Sequence, residues 1–219
     1  MIVSLKTIYF FSGVIAMLSL SACNGLFENI YDKPLSEKDN EYGFINVDEK
    51  TYIGQIYINA TSHTEWQYIN LHDKQVITKA IDETVPEKWD FAVHRYDTKT
   101  NNGSVVESTS KDFYSISNIN TIPQNAFIPD KWTTDKIAID MSQMMDGLII
   151  YTKDFYNPCL SKWLNIDTSV MPPIYALSGK IYILQLSDGS YAALKLSNFM
   201  NGAGVKGMIT IDYLYPLQL

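Results

Sequence analysis

From Tyr175 to Pro216 the sequence is a succession of short alternating stretches punctuated by turn signals, and this pattern fixes the fold class more firmly than any other feature. Tyr175–Leu177, Lys180–Leu186 and Tyr191–Asn198 read as strands, and Asp188-Gly189 sits between the last two. An Asp-Gly pair accepts the positive φ angles that a tight hairpin turn imposes. After a Gly202–Gly204 loop, Val205–Tyr215 sets Ile209, Ile211, Tyr213 and Tyr215 against Met208, Thr210, Asp212 and Leu214. A period of two over that length is a strand, and Pro216 stops it. The pattern predicts an antiparallel meander.

Upstream the same grammar continues with weaker punctuation. Strands are expected over Thr51–Asn59, Glu65–Leu71, Val76–Lys79, Trp89–Tyr96, Val105–Thr109, Lys136–Asp140, Leu148–Thr152 and Lys162–Ile166. Asn101-Asn102-Gly103 is expected to turn Trp89–Tyr96 back onto Val105–Thr109. Lys111–Asp135, with Pro123 and Pro129, predicts loop and short strands. No stretch of twelve residues after position 23 keeps a 3.6-residue period. The expected class is all-β, a single domain of many short antiparallel strands and hairpins over residues 51–219.

The first 22 residues read as an address. Lys6 precedes an apolar run from Ile8 to Leu20, too short to span a bilayer as a mature helix, and the run ends in small residues. Leu20-Ser21-Ala22-Cys23 resembles a lipobox, in which the cysteine becomes the lipid-bearing N-terminus. Residues 1–22 are therefore expected to be a signal peptide, Cys23 the lipidation site, and 23–50 a flexible lipid-anchored tether. Ordinary signal cleavage near Ala22, leaving Cys23 as a free thiol, is the other reading. If Cys23 carries lipid, Cys159 has no partner for a disulfide within the chain.

The charge narrows the partners. The chain carries 17 basic residues against 24 acidic ones, and Arg95 is its only arginine. Phosphate and guanine recognition leans on arginine forks, so no nucleic acid is expected as a partner. His63, His72 and His94 lack metal-ligand spacing, and no Gly-x-Ser-x-Gly elbow or phosphate-cradling glycine loop occurs. The expectation is that this is not an enzyme. Arg95, between Asp90 and Asp97, is expected to anchor structural hydrogen bonds.

The methionines stand apart. Met141, Met144 and Met145 crowd one polar turn, and Met171 opens Met171-Pro172-Pro173. Flexible apolar side chains in polar turns fill a gap in the core, form an apolar binding surface, or offer soft thioether ligands to haem iron or Cu(I). From the residues alone all three remain open.

Several segments in order resemble the HmuY family of secreted and lipid-anchored haem-binding proteins. Trp89-Asp90-Phe91-Ala92-Val93-His94-Arg95-Tyr96-Asp97 is similar to the family's Trp-Asp-x-x-x-His-Arg-Tyr-Asp signature. Tyr175-Ala176-Leu177-Ser178-Gly179-Lys180 is similar to its Tyr-x-Leu-Ser-Asn-(Lys/Arg) stretch. The segments from Asp188 to Leu196 and from Lys206 to Pro216 resemble its closing strands. The likeness spans roughly residues 50–217.

The resemblance implies an all-β, cupped-hand fold that holds haem b between two loops. It implies capture of haem at the outer membrane and delivery to a TonB-dependent outer-membrane haem receptor. The membrane is touched only through the lipid anchor, with the protein exposed at the cell surface or released in soluble form. The family's type member grips iron with two histidines, one in the loop matching Asp140–Gly147 and one shortly before the Tyr-x-Leu-Ser strand. This chain has methionines in both regions. The resemblance therefore points to Met171 and Met144 as iron ligands, with Met145 next in line, and to a structural role for His94. Tyr151, Tyr156 and Trp163 are candidates to line the pocket, and Lys153 and Lys162 lie near it in sequence. The alternative is an envelope lipoprotein on the same fold that binds another porphyrin, a glycan or a protein, with its methionines in the core.

Overall fold

The computed structural model describes residues 41–116 and 119–217. The signal peptide, Cys23 and most of the expected tether lie outside the described residues. The chain divides into two compact units, and Asp167–Ile174 is the described part of the smaller one.

The larger unit is built on a seven-stranded sheet. Its strands are β1 (Gly43–Asp48), β2 (Ile53–Asn59), β7 (Ser104–Glu107), β8 (Ile128–Pro129), β13 (Tyr182–Gln185), β14 (Tyr191–Met200) and β15 (Lys206–Leu214), in the order β1-β2-β15-β14-β13-β7-β8. Every pairing is antiparallel. A four-stranded sheet joins β3 (Glu65–Asn70), β4 (Gln75–Ala80), β5 (Phe91–His94) and β6 (Asp97–Thr100) in the order β4-β3-β5-β6. Two ribbons complete the set: β9 (Lys131–Asp140) with β10 (Ile150–Tyr156), and β11 (Leu164–Asp167) with β12 (Ile174–Leu177). The described helical segments are single 3₁₀ turns, so the all-β class expected from the sequence is what is found.

Period-two alternation explains the layers. On β13 and β14, Tyr182, Leu184, Ala192, Leu194 and Leu196 face one buried cluster, shared with Ile69, Phe91 and Val93 of the four-stranded sheet. Their neighbours Ile183, Tyr191 and Ala193 face the opposite way, onto Ile119 and Phe127. Successive side chains of a strand point to opposite faces, so one strand serves two cores. Each wholly buried large apolar side chain contributes about 1.5–3 kcal/mol. A third cluster lies on the other face of the four-stranded sheet, where Trp66, Tyr68 and Ala92 pack on Ile137 of β9 and Tyr156 of β10. That packing seats the β9–β10 ribbon.

Three expectations change. Strand β1 lies at the end of the stretch read as a tether; its Gly43-Phe44-Ile45 segment pairs with β2. Asn101-Asn102-Gly103 does not close a hairpin. The chain already reverses at Arg95 and Tyr96, where Arg95 adopts φ +54°, and β5 pairs with β6. The partner of β7 is β13, far along the chain. The positive φ at Arg95 is accompanied by a side-chain anchor, its Nη1 donating to Thr61 O at 2.7 Å. That bond fits the anchoring role expected of Arg95, with a backbone carbonyl as acceptor in place of Asp90 and Asp97.

Candidate functional site

The β9–β10 ribbon ends in a turn that holds the methionine cluster. Asp140 Oδ1 accepts the Ser142 N–H at 2.8 Å, which starts the turn and holds the Asp140 carboxyl below its ordinary range. Met144–Asp146 forms a 3₁₀ turn, and the Gly147 N–H donates to Met144 O at 3.0 Å. Gly147 closes it in the left-handed region at φ +78°, where glycine meets no Cβ penalty. The Leu148 N–H returns to Gln143 O at 3.1 Å. Extended backbone would point Met144 and Met145 to opposite sides; the 3₁₀ turn replaces that alternation with a turn of about three residues. Met144 is 38% exposed and Met145 81%. Leu148, Ile150 and Tyr151 are exposed beside them in sequence.

The base of the ribbon is anchored. Lys99 Nζ stands 2.8 Å from Asp154 Oδ2 and 4.2 Å from the centre of the Trp66 ring. His63 Nδ1 lies 3.3 Å from Ala138 O. The pairing shifts register between Ile150 and Tyr151 and again between Thr152 and Asp154. Such bulges bend a ribbon and re-aim its side chains.

The Asp167–Ile174 unit carries the other candidate. Asp167 Oδ1 accepts from the Ser169 hydroxyl at 2.6 Å and from its N–H at 2.9 Å, and these bonds lower the Asp167 carboxyl pKa. Met171 is 67% exposed, with Val170 and Ile174 exposed as well. Each segment, taken by itself, thus shows exposed methionine beside exposed aliphatic residues, and a thioether is a soft donor. Among the described residues, no three His, Cys, Asp or Glu side chains are grouped to hold a metal ion.

Exposure sorts the methionines. Met200 is buried in the main core, whereas Met144, Met145 and Met171 are not. Core packing therefore accounts for Met200 alone of these four. His94 is fully buried and its Nε2 donates to His63 O at 2.8 Å. Burial pushes its pKa down to about 4, so the ring stays neutral. His72 spans Asp90 and Asp188, at 3.4 and 3.0 Å.

Of the candidate pocket-lining aromatics, Trp163 is wholly buried and donates to Tyr96 O at 2.8 Å, which removes it. Tyr156 packs at the base of the ribbon, and Tyr151 alone of the three is exposed. Lys153 and Lys162 are exposed. Sequence reasoning missed Leu148 and Ile150 as companions of the methionines; their signal was an apolar pair placed right after a polar turn. It also missed Lys99 and Asp154, which no local pattern connects.

The model of the HmuY protein family matches residues 62–213. No curated protein matches the chain by sequence. Among solved structures, a candidate HmuY-like haem-binding protein from Bacteroides vulgatus is 50% identical, with a TM-score of 0.76, over 82% of this chain and 100% of that one. A candidate lipoprotein from Bacteroides fragilis is 44% identical, also with a TM-score of 0.76, over 84% and 100%. An apo HmuY analogue from Tannerella forsythia is 25% identical, with a TM-score of 0.63, over 77% and 97%.

Proposed function

The chain belongs to the HmuY family, and on that premise we propose that it is a haem-binding outer-membrane lipoprotein that uses methionine thioethers as axial ligands. Met171 supplies one sulfur and Met144 the other, with Met145 next in line. The observation that carries this reading is the exposure of those methionines on two short segments that also expose aliphatic residues. Exposed apolar residues gathered on a turn mark a surface that a ligand covers.

The roles of the chain's own residues follow from their chemistry. Burying an apolar macrocycle against aliphatic side chains such as Leu148 and Ile150 supplies affinity at about 25 cal/mol per Å². Haem b contributes an iron centre whose ferrous form prefers soft donors. The hydrogen-bonded 3₁₀ turn fixes Met144 before binding, so less ordering entropy is lost. Cys23 carries the lipid, the protein sits at the outer membrane facing out or is shed in soluble form, and a TonB-dependent haem receptor takes the cargo. The role is carriage without turnover.

The test is a haem titration of the parent, Met171→Ala and Met144→Ala, read by absorbance in air and after dithionite. Saturable one-to-one binding with sharp ferrous bands, weakened in both variants, supports the reading. A broad spectrum that never saturates in the parent ends it, leaving another porphyrin, a glycan or a protein as the ligand.

A further inference from the structure

The exposed methionines differ steeply in accessibility, and accessibility governs which thioethers meet a dissolved oxidant. Met145 is 81% exposed, Met171 67% and Met144 38%, whereas Met200 is 2% exposed. Met208 is half-buried, with the Tyr42 hydroxyl 3.7 Å from its sulfur. The methionines that the turns display are therefore the ones a peroxide reaches first. The charged groups beside them in sequence are the carboxylates Asp140, Asp146 and Asp167, which neither repel nor consume a neutral peroxide.

We infer that Met145, Met171 and Met144 form a peroxide-sensitive set, and that sulfoxide formation at Met171 or Met144 switches haem capture off, a switch that rests on the haem-binding reading above. The step is a two-electron oxygen transfer. A lone pair on the thioether sulfur attacks one oxygen of hydrogen peroxide, the O–O bond breaks and an S–O bond forms. The proton of the transferred oxygen passes to the departing hydroxide, which leaves as water. Sulfur is oxidised and peroxide reduced. The product is polar and has lost its soft donor character, so it neither ligates ferrous iron well nor packs against a macrocycle. The change is reversible, because a methionine sulfoxide reductase returns the thioether at the expense of a dithiol, releasing water and a disulfide.

Both turns owe their shape to backbone and carboxylate hydrogen bonds, and the bonds described in them do not involve a methionine sulfur. Oxidation should therefore remove ligation while the fold persists. That separates a switch from simple damage. Exposure sets the order residue by residue, with Met145 converted first, then Met171 and then Met144.

The experiment treats the haem-free protein with graded hydrogen peroxide, removes the excess with catalase, and splits each sample three ways. Peptide mass spectrometry locates the sulfoxides, thermal unfolding checks the fold, and a ferrous-haem titration reads binding. The expected result is modification in the order Met145, Met171, Met144, with Met200 spared and the unfolding temperature held. Haem affinity should fall about tenfold or more as Met171 and Met144 convert, in the range seen when metal sites lose a supporting contact. Treatment with methionine sulfoxide reductase and dithiothreitol should restore it. Sulfoxides at Met171 and Met144 with unchanged affinity overturn the switch and leave haem binding standing. Prior conversion of Met200 or Met208 overturns the accessibility argument. Untreated protein that binds no haem overturns the functional reading, and the switch with it.

Discussion

The ammonium of Lys99 and the carboxylate of Asp154 meet at 2.8 Å, joining β6 of the four-stranded sheet to β10 of the methionine-bearing ribbon. Lys99 is nearly buried, with its Nζ also 5.2 Å from the Tyr68 ring centre and 5.9 Å from that of Trp89. A buried ammonium needs such partners, and removing the carboxylate strands it. Asp154→Asn should lower unfolding free energy by about 2–3 kcal/mol in urea. Lys99→Met keeps the stem against the rings and should cost less. Equal losses in the two variants would show that charge burial is not the controlling cost.

Asp97 and His94 are register partners across the β5–β6 turn and should pull stability in opposite directions with pH. Desolvation of the Asp97 carboxyl pushes its pKa up to about 7, with Lys136 opposing. Burial takes His94 down to about 4. For Asp97 the folded state binds the extra proton between about pH 4 and about pH 7, so stability falls as pH rises there. For His94 the unfolded state binds it between about pH 4 and about pH 6.5, so stability rises with pH. The two slopes largely cancel in the parent. Urea midpoints of Asp97→Asn should climb across that window, and those of His94→Gln should drop. Parallel pH profiles in all three proteins would refute this pairing.

His72 offers a smaller test. Burial pulls its pKa down, but the hydrogen bond to Asp188 and the charge of Asp90 outweigh that, and the net shift is upward. Its folded-state contribution is present below the unfolded pKa and fades as pH rises through the folded one. Asp188→Asn should lower the His72 pKa in an NMR titration of the ring protons. An unmoved titration curve would assign the upward shift to Asp90 alone.

Gly207 sits at φ +97°, and a Cβ there would lie 2.8 Å from Arg95 Nη1 and 3.0 Å from Ala60 O. Gly207 O also accepts the Ala60 N–H at 2.8 Å, so neither backbone has room to retreat. Gly207→Ala combines an unfavourable φ with a clash and should cost about 2 kcal/mol. Thermal unfolding measures it; a change within about 0.5 kcal/mol would mean the start of β15 yields freely.

What the sequence discloses depends on how local each signal is. The alternation in Val205–Tyr215 reads directly as β15, because the two faces of one strand are written in consecutive residues. Pairing is not local. The partner of Val105 is Leu184, and nothing near Val105 names it. The reversal at Arg95 was hidden for another reason: positive φ on an arginine has no compositional mark, whereas Asn101-Asn102-Gly103 advertises a turn that closes no hairpin. At the candidate site, the two methionine segments were visible in the sequence. Their exposure was not, because Met200 and Met144 look alike until burial separates them. The 3₁₀ form of Met144–Asp146 was partly legible, since Gly147 marks a left-handed end to a turn.

Strand β15 occupies the place between β2 and β14, so a strand late in the sequence completes the inside of the seven-stranded sheet. A nascent chain still short of Lys206 leaves the facing edges of β2 and β14 unpaired, however long its earlier strands have waited. Closing such distant pairings carries a loop-entropy cost that local hairpins avoid, and it slows folding. The native sheet thus waits on residues 206–214. A protease cut or premature stop that removes Lys206–Leu214 would take away an interior strand and leave two open edges prone to aggregation.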